Sequence, residues 1–146
     1  MSFRVIPFEA SHIDDIELQP AQATLRTYLA AGHGPALSER SVAYTAVDDR
    51  VIACAGVIPA WPGRDCAWAL LSECGPAVFY RVHRAVKRFL DARPTRRIEM
   101  IVDPDHRAAC RWARLLGFEE EGYMKSYSPD GRDALMFARI RDERTG

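Results

Sequence analysis

Cys66-Ala67-Trp68-Ala69-Leu70-Leu71-Ser72-Glu73-Cys74-Gly75-Pro76-Ala77-Val78-Phe79 passes from an apolar run through a turn into a helix, and this passage decides the fold. Residues 66–71 are short and bounded enough to read as a strand. Pro76 suits the first turn of a helix, where its missing N–H is not needed. Val78/Phe79, Val82, Ala85/Val86 and Phe89/Leu90 then recur at helical steps until Pro94, with Arg81, Arg84, Lys87 and Arg88 on the other side. Residues 97–102 form the next apolar run, so strand, helix and strand make a right-handed parallel crossover.

Reading outward toward the C-terminus, a second amphipathic helix is predicted over 105–116. It stops at Gly117, the left-handed residue favoured past a helix end. Residues 118–127 and 134–140 close the sheet as a hairpin around Ser128-Pro129-Asp130-Gly131. Toward the N-terminus, residues 41–47, 51–58 and 66–71 form an antiparallel meander through the turns 48–50 and 59–64. Residues 3–8 read as a first strand. Ser11 is the predicted cap of a helix over 12–18, with Asp14 and Asp15 where the helix dipole favours them. A further helix is predicted over 20–31, ending at Gly32, and Gly32-His33-Gly34-Pro35 reads as a loop from its breakers. The order β-α-α-β-β-β-α-β-α-β-β implies a mixed sheet with helices on both faces and one parallel pair.

At 146 residues, without repeat or linker, the chain is expected to be one domain spanning 1–146. Its formal net charge is zero, which disfavours nucleic-acid binding. No apolar run is long enough for a membrane span, and Met1-Ser2-Phe3-Arg4-Val5 alternates like a strand instead of resembling a signal peptide. Cys54, Cys66, Cys74 and Cys110 lack metal-ligand spacing, so reduced thiols, no metal site and a cytoplasmic location are expected.

The order of elements, together with Ala109-x-x-x-x-x-Leu115-Leu116-Gly117-Phe118 after a strand ending in Val102, resembles the GCN5-related N-acetyltransferase family. The resemblance implies a three-layer α/β fold. Its mixed, mostly antiparallel sheet has about six or seven strands, with a parallel pair formed by the fourth and fifth and about four helices on both faces. It also implies acetyl-CoA as co-substrate, lying where the fourth and fifth strands splay apart. Pantetheine runs along the fourth strand like an added strand, and the pyrophosphate meets the loop before the next helix.

The fourth strand here is 66–71, and the cofactor residues implied are Leu70, Leu71, Ser72, Gly75, Pro76 and Ala77. A bulge near Leu70 and Leu71 would aim a backbone N–H at the thioester oxygen. The family loop usually reads Arg/Gln-x-x-Gly-x-Gly/Ala; Ser72-x-x-Gly75-x-Ala77 keeps the small residues and loses the leading Arg/Gln, and Glu73 adds a negative charge. Counting back from Gly117-Phe118, His106 falls where the family often has Asn, and Ala113 falls where it has the Tyr that protonates the leaving thiolate.

Candidate proton donors are therefore Cys110, Tyr123 and Tyr127. Glu99 is the first candidate base, ahead of Glu73 and Asp103. Arg111, in a stripe with Arg107 and Arg114, is a candidate for the nucleotide phosphate. The combination Trp68-x-Leu70-x-Ser72, Val102-Asp103, Arg111-Trp112 and Leu116-Gly117-Phe118 resembles a divergent phage and prophage branch in which the Tyr position is commonly apolar.

Two functions follow. One is a CoA-dependent N-acyltransferase acting on an unidentified amine; a homodimer is compatible with it. The other is a catalytically inactive binding or structural protein on the same fold. An open cleft between the fourth and fifth strands favours the first; a cleft filled by Trp68 or Met100 favours the second.

Overall fold

A computed structural model describes residues 2–27 and 33–141. The chain runs β1 (Arg4–Pro7), α1 (Ser11–Asp15), a 3-10 segment (Pro20–Thr27), α2 (His33–Arg40), β2 (Val42–Asp48), β3 (Arg50–Trp61) and β4 (Arg64–Leu71). It continues through α3 (Pro76–Ala92), β5 (Arg97–Val102), α4 (Arg107–Leu115), β6 (Glu119–Met124) and β7 (Ala134–Ile140). The seven strands form one sheet in the order β1-β2-β3-β4-β5-β7-β6. β4 and β5 are parallel and the other neighbours antiparallel.

Each face of the sheet carries its own core, as strand alternation requires. On one side Val82 and Leu90 of α3, Cys110, Trp112 and Ala113 of α4 and Leu116 just after it pack over Ala53, Leu71, Ile98, Val102 and Phe137. On the other, Ile13 and Ile16 pack with Cys54 and Leu70, joined by Leu37 of α2 and by Phe8 and Trp68 in edge contact. The result is the three-layer α/β architecture expected, with four α-helices among the described residues.

β5 and β7 have the predicted bounds, and Gly117 takes φ 95°, beyond the last turn of α4. β3 runs past its predicted end, carrying Pro59 in a register shift next to Trp61; a bulge is where a strand tolerates a residue without an N–H.

The N-terminal helices differ from expectation. α1 starts at Ser11, has no side-chain cap, and ends at Asp15, because Ile16 turns extended (φ −74°, ψ 132°). Ile13 and Ile16 are both buried against the sheet. The helix predicted over 20–31 is a 3-10 segment as far as Thr27, and its remainder lies outside the described residues. Of the predicted loop at 32–35, Gly32 is likewise outside them, while residues 33–35 open α2. Pro35 is harmless in a first turn, whose N–H groups have no helical partner. A Cβ at Gly34 would stand 3.1 Å from the Ala10 carbonyl oxygen, so glycine there reports close helix packing, not a break.

Candidate active site

The β4–β5 ladder is short: Arg64 faces Arg97, Asp65 faces Ile98, and Cys66 faces Glu99, after which the strands part. β4 continues along β3 to Leu71, and β5 continues along β7 to Val102. The closed end is pinned by ion pairs. Arg93 Nε donates to Asp65 Oδ2 at 2.6 Å. Arg64 donates to Glu99 from Nε at 2.5 Å and from Nη2 at 2.8 Å, and Arg97 Nε donates to Glu99 Oε1 at 2.9 Å. Arg97 also holds Glu121 with two further donors.

Glu99, the first candidate base in the sequence, is placed as a clamp between the two strands. Hydrogen bonds from Arg64 and then Arg97 outweigh the effect of burial and lower its carboxyl from 4.5 to about 2. Both oxygens are occupied, and a carboxylate with so low a pKa has little affinity for a proton from an attacking amine.

Beyond the ladder an apolar cavity of about 680 Å³ includes the gap between the parted strands, lined there by Ala67, Ala69 and Leu71 of β4, Met100 and Val102 of β5, and His106, Ala109 and Trp112 at α4, and it extends under α3 toward Tyr44 of β2. This size suits a small-molecule site. Trp68 borders it without filling it: its indole N–H donates to Ser41 Oγ at 3.0 Å and its ring meets Phe8.

No bulge forms at Leu70 and Leu71, since the β3–β4 register is unbroken from Ala53↔Leu71 to Ile58↔Cys66. The Ser72 N–H donates to the Ile52 carbonyl at 2.8 Å, so by strand alternation Leu70 bonds toward β3 and Leu71 toward the cleft. Leu70, predicted as a cofactor residue, thus turns its side chain to the α1 core and its backbone to β3. The cleft-facing groups of β4 are bonded within the chain. Gln22 Nε2 donates to the Ala69 carbonyl at 3.0 Å, and the Leu71 N–H donates to Gln22 Oε1 at 2.8 Å.

The loop from β4 to α3 lines a second cavity of about 620 Å³ with Gln19, Arg50, Leu71 and Phe79. Gly75 precedes Pro76 with φ −69°, and no side chain caps the helix. A Cβ on Gly75 would have nothing within 4 Å, so its surface is open to a ligand. Arg50, which the sequence reading passed over, reaches this loop: its Nη1 donates to Ser72 Oγ and its Nη2 to the Glu73 carbonyl at 2.5 Å. The signal lay in the hairpin register, for Ile52 stands opposite Ser72, and two residues earlier is Arg50.

The remaining candidates are scattered. His106 precedes α4 and lines the apolar cavity, whereas Arg111 is exposed on α4 and does not line it. Cys110 is buried, which pushes its thiol pKa up, and its Sγ lies 3.7 Å from the Asp103 carbonyl. Tyr123 is exposed on β6 and donates to Asp133 Oδ2 at 2.6 Å, a bond that raises its pKa. Neither residue lines the cavity; Tyr127 does, at the β6–β7 turn, near Asp103, whose carboxylate Arg132 holds. Ala113 is fully buried, and its methyl group has no proton to give.

This fold is shared with solved acetyltransferases. An IAA acetyltransferase from Bacillus cereus superposes with TM-score 0.70 at 12% identity, over 96% of this chain and 100% of that one. A GNAT family acetyltransferase from Elizabethkingia anophelis with acetyl-CoA bound gives 0.69 at 10%, over 95% and 98%. An aminoglycoside 6′-acetyltransferase type Ii gives 0.66 at 16%, over 94% and 96%. At such identities the likeness establishes the fold. No protein-family model matches the sequence, and no curated protein matches it.

Proposed function

We propose that the chain is one CoA-dependent N-acyltransferase domain, transferring an acetyl group from acetyl-CoA to an amine. The observation that carries this is the parted β4–β5 pair, open as an apolar cavity beside a loop that carries Arg50 and an uncapped helix start. The donor set fits the ligand. A thioester with its pantetheine arm needs strand-like backbone partners, which Ala69 and Leu71 supply on the cleft side. A pyrophosphate needs a cation and hydrogen-bond donors, for which Arg50 and the backbone N–H groups of Gly75 and Ala77 are assigned, with the Ser72 hydroxyl and the Pro76 ring in the same turn. Arg50 thereby takes the part of the missing Arg/Gln and offsets Glu73.

In the proposed reaction the amine lone pair attacks the thioester carbon, the carbon–sulfur bond breaks, and the thiolate leaves with a proton. Tyr127, at the cavity mouth, is assigned to proton delivery in preference to Cys110 and Tyr123, which do not line the cavity. Glu99 is withdrawn as base, and the amine loses its proton to water. The cytoplasmic location and the phage-type affiliation belong to the same proposal.

One observation favours the inactive alternative: Ala113 occupies the acid position with no space around it. The two readings separate in a thiol-release assay with acetyl-CoA and a panel of polyamines, aminoglycosides and amino-terminal peptides. Amine-dependent release of free CoA is expected. Tight acetyl-CoA binding with no turnover on any amine would support the inactive reading instead.

A further inference from the structure

Beyond its ladder with β5, β4 has no strand on its cleft side, and a sheet edge inside a cleft must find partners for its N–H and C=O groups. They come from one short turn before and within the 3-10 segment. The Gln22 carboxamide donates to the Ala69 carbonyl at 3.0 Å and accepts from the Leu71 N–H at 2.8 Å. The backbone N–H of Gln19 donates to the Leu71 carbonyl at 2.8 Å. Gln22 is itself oriented from within the turn, its N–H bonded to the Gln19 carbonyl at 2.9 Å and its Oε1 met by Gln19 Nε2 at 3.3 Å.

A primary amide laid against two successive cleft-facing residues offers β4 the same donor and acceptor pair that an added strand, or a pantetheine amide, would offer. The Leu71 N–H has one hydrogen. It cannot serve Gln22 and a ligand carbonyl together at full strength.

We propose that Gln22 is an internal competitor for the pantetheine seat, and that acetyl-CoA binding and release of the Gln19–Gln22 turn from β4 are one coupled event. This rests on the acyltransferase reading above and adds to it a closed state that the co-substrate must open. The exchange conserves hydrogen bonds, one amide replacing another, so the closed state lowers affinity only by the fraction of molecules already open. The arrangement gives the site a built-in discrimination. A ligand that presents an amide to β4 displaces the turn, whereas one that fills only the apolar cavity does not.

The sign of one mutation separates this from an ordinary contact. Removing a residue that helps hold a ligand weakens binding, but removing a competitor strengthens it. In Gln22→Ala, acetyl-CoA affinity measured calorimetrically is expected to rise by about 3- to 10-fold, the net worth of one neutral hydrogen bond. The Leu71 amide should exchange with solvent faster than in the parent when free, and should be protected again on adding acetyl-CoA.

A second readout needs no variant. In the parent protein, titration with acetyl-CoA should shift the side-chain amide resonances of Gln22 in step with binding. Equal or weaker affinity in a folded Gln22→Ala protein, or Gln22 resonances that stay in place while the parent saturates, would overturn the competitor. If neither parent nor variant binds acetyl-CoA, the acyltransferase reading itself has failed, which is a different result from binding with Gln22 unmoved.

Discussion

Glu99→Gln keeps the shape of the side chain and removes its charge, so it distinguishes a strand clamp from a catalytic base. In the parent both carboxylate oxygens are bonded, to Arg64 from β4 and to Arg97 from β5, with the side chain only 10% exposed. The fall of its pKa from 4.5 to about 2 corresponds to about 3 kcal/mol in favour of the charged, paired form. Because the folded value lies below the unfolded one, this stability is present above about pH 4.5 and is lost as pH falls toward 2. Urea unfolding at pH 7 should therefore find the variant about 3 kcal/mol less stable, and the gap should shrink to roughly half by pH 3. The rate at saturating acetyl-CoA, measured under conditions where the variant is folded, should stay within a few-fold of the parent's. A general base would cost about 10²–10⁴ in rate. A variant as stable as the parent but crippled in turnover would refute the clamp and restore the base.

Three other substitutions test the remaining assignments. Arg50→Ala should weaken acetyl-CoA binding by about 10-fold or more and flatten its salt dependence, with Arg50→Lys in between, as expected for a charged bond to phosphate; calorimetry at two salt concentrations reads this. Gly75→Glu should abolish binding while leaving the unfolding midpoint unchanged, because the backbone there is ordinary (φ −69°) and an added side chain meets nothing within 4 Å. Tyr127→Phe should lower the rate at saturating substrates by about 10²-fold with little change in acetyl-CoA affinity; an unchanged rate would leave protonation of the thiolate to water.

The parallel crossover was legible because its signals are local. The apolar period of α3 between Pro76 and Pro94 and the compact runs of β5 and β7 need no knowledge of the rest of the chain. Gly117 marks a helix end through its own backbone. The first helical layer was harder, since Gly34 and Pro35 look like breakers until the close approach to Ala10 and their first-turn position are known. At the site, the loop through Ser72 and Gly75 could be placed from sequence, but the partners that determine what each side chain does could not. Glu99 reads as a cleft carboxylate until Arg64 arrives from the neighbouring strand. Arg50 and Gln22 carry no motif; each acts through a pairing with β4 or its loop across 22 and about 50 positions of sequence.

The measurement that tests the central claim most directly is calorimetric titration of the purified protein with acetyl-CoA, with CoA as control. The parted β4–β5 cleft and its Arg50 loop predict saturable, one-to-one binding in the micromolar range, abolished by Gly75→Glu. No heat and no thermal stabilisation at millimolar acetyl-CoA would contradict the account, leaving a fold shared with acetyltransferases and a cleft that serves some other partner.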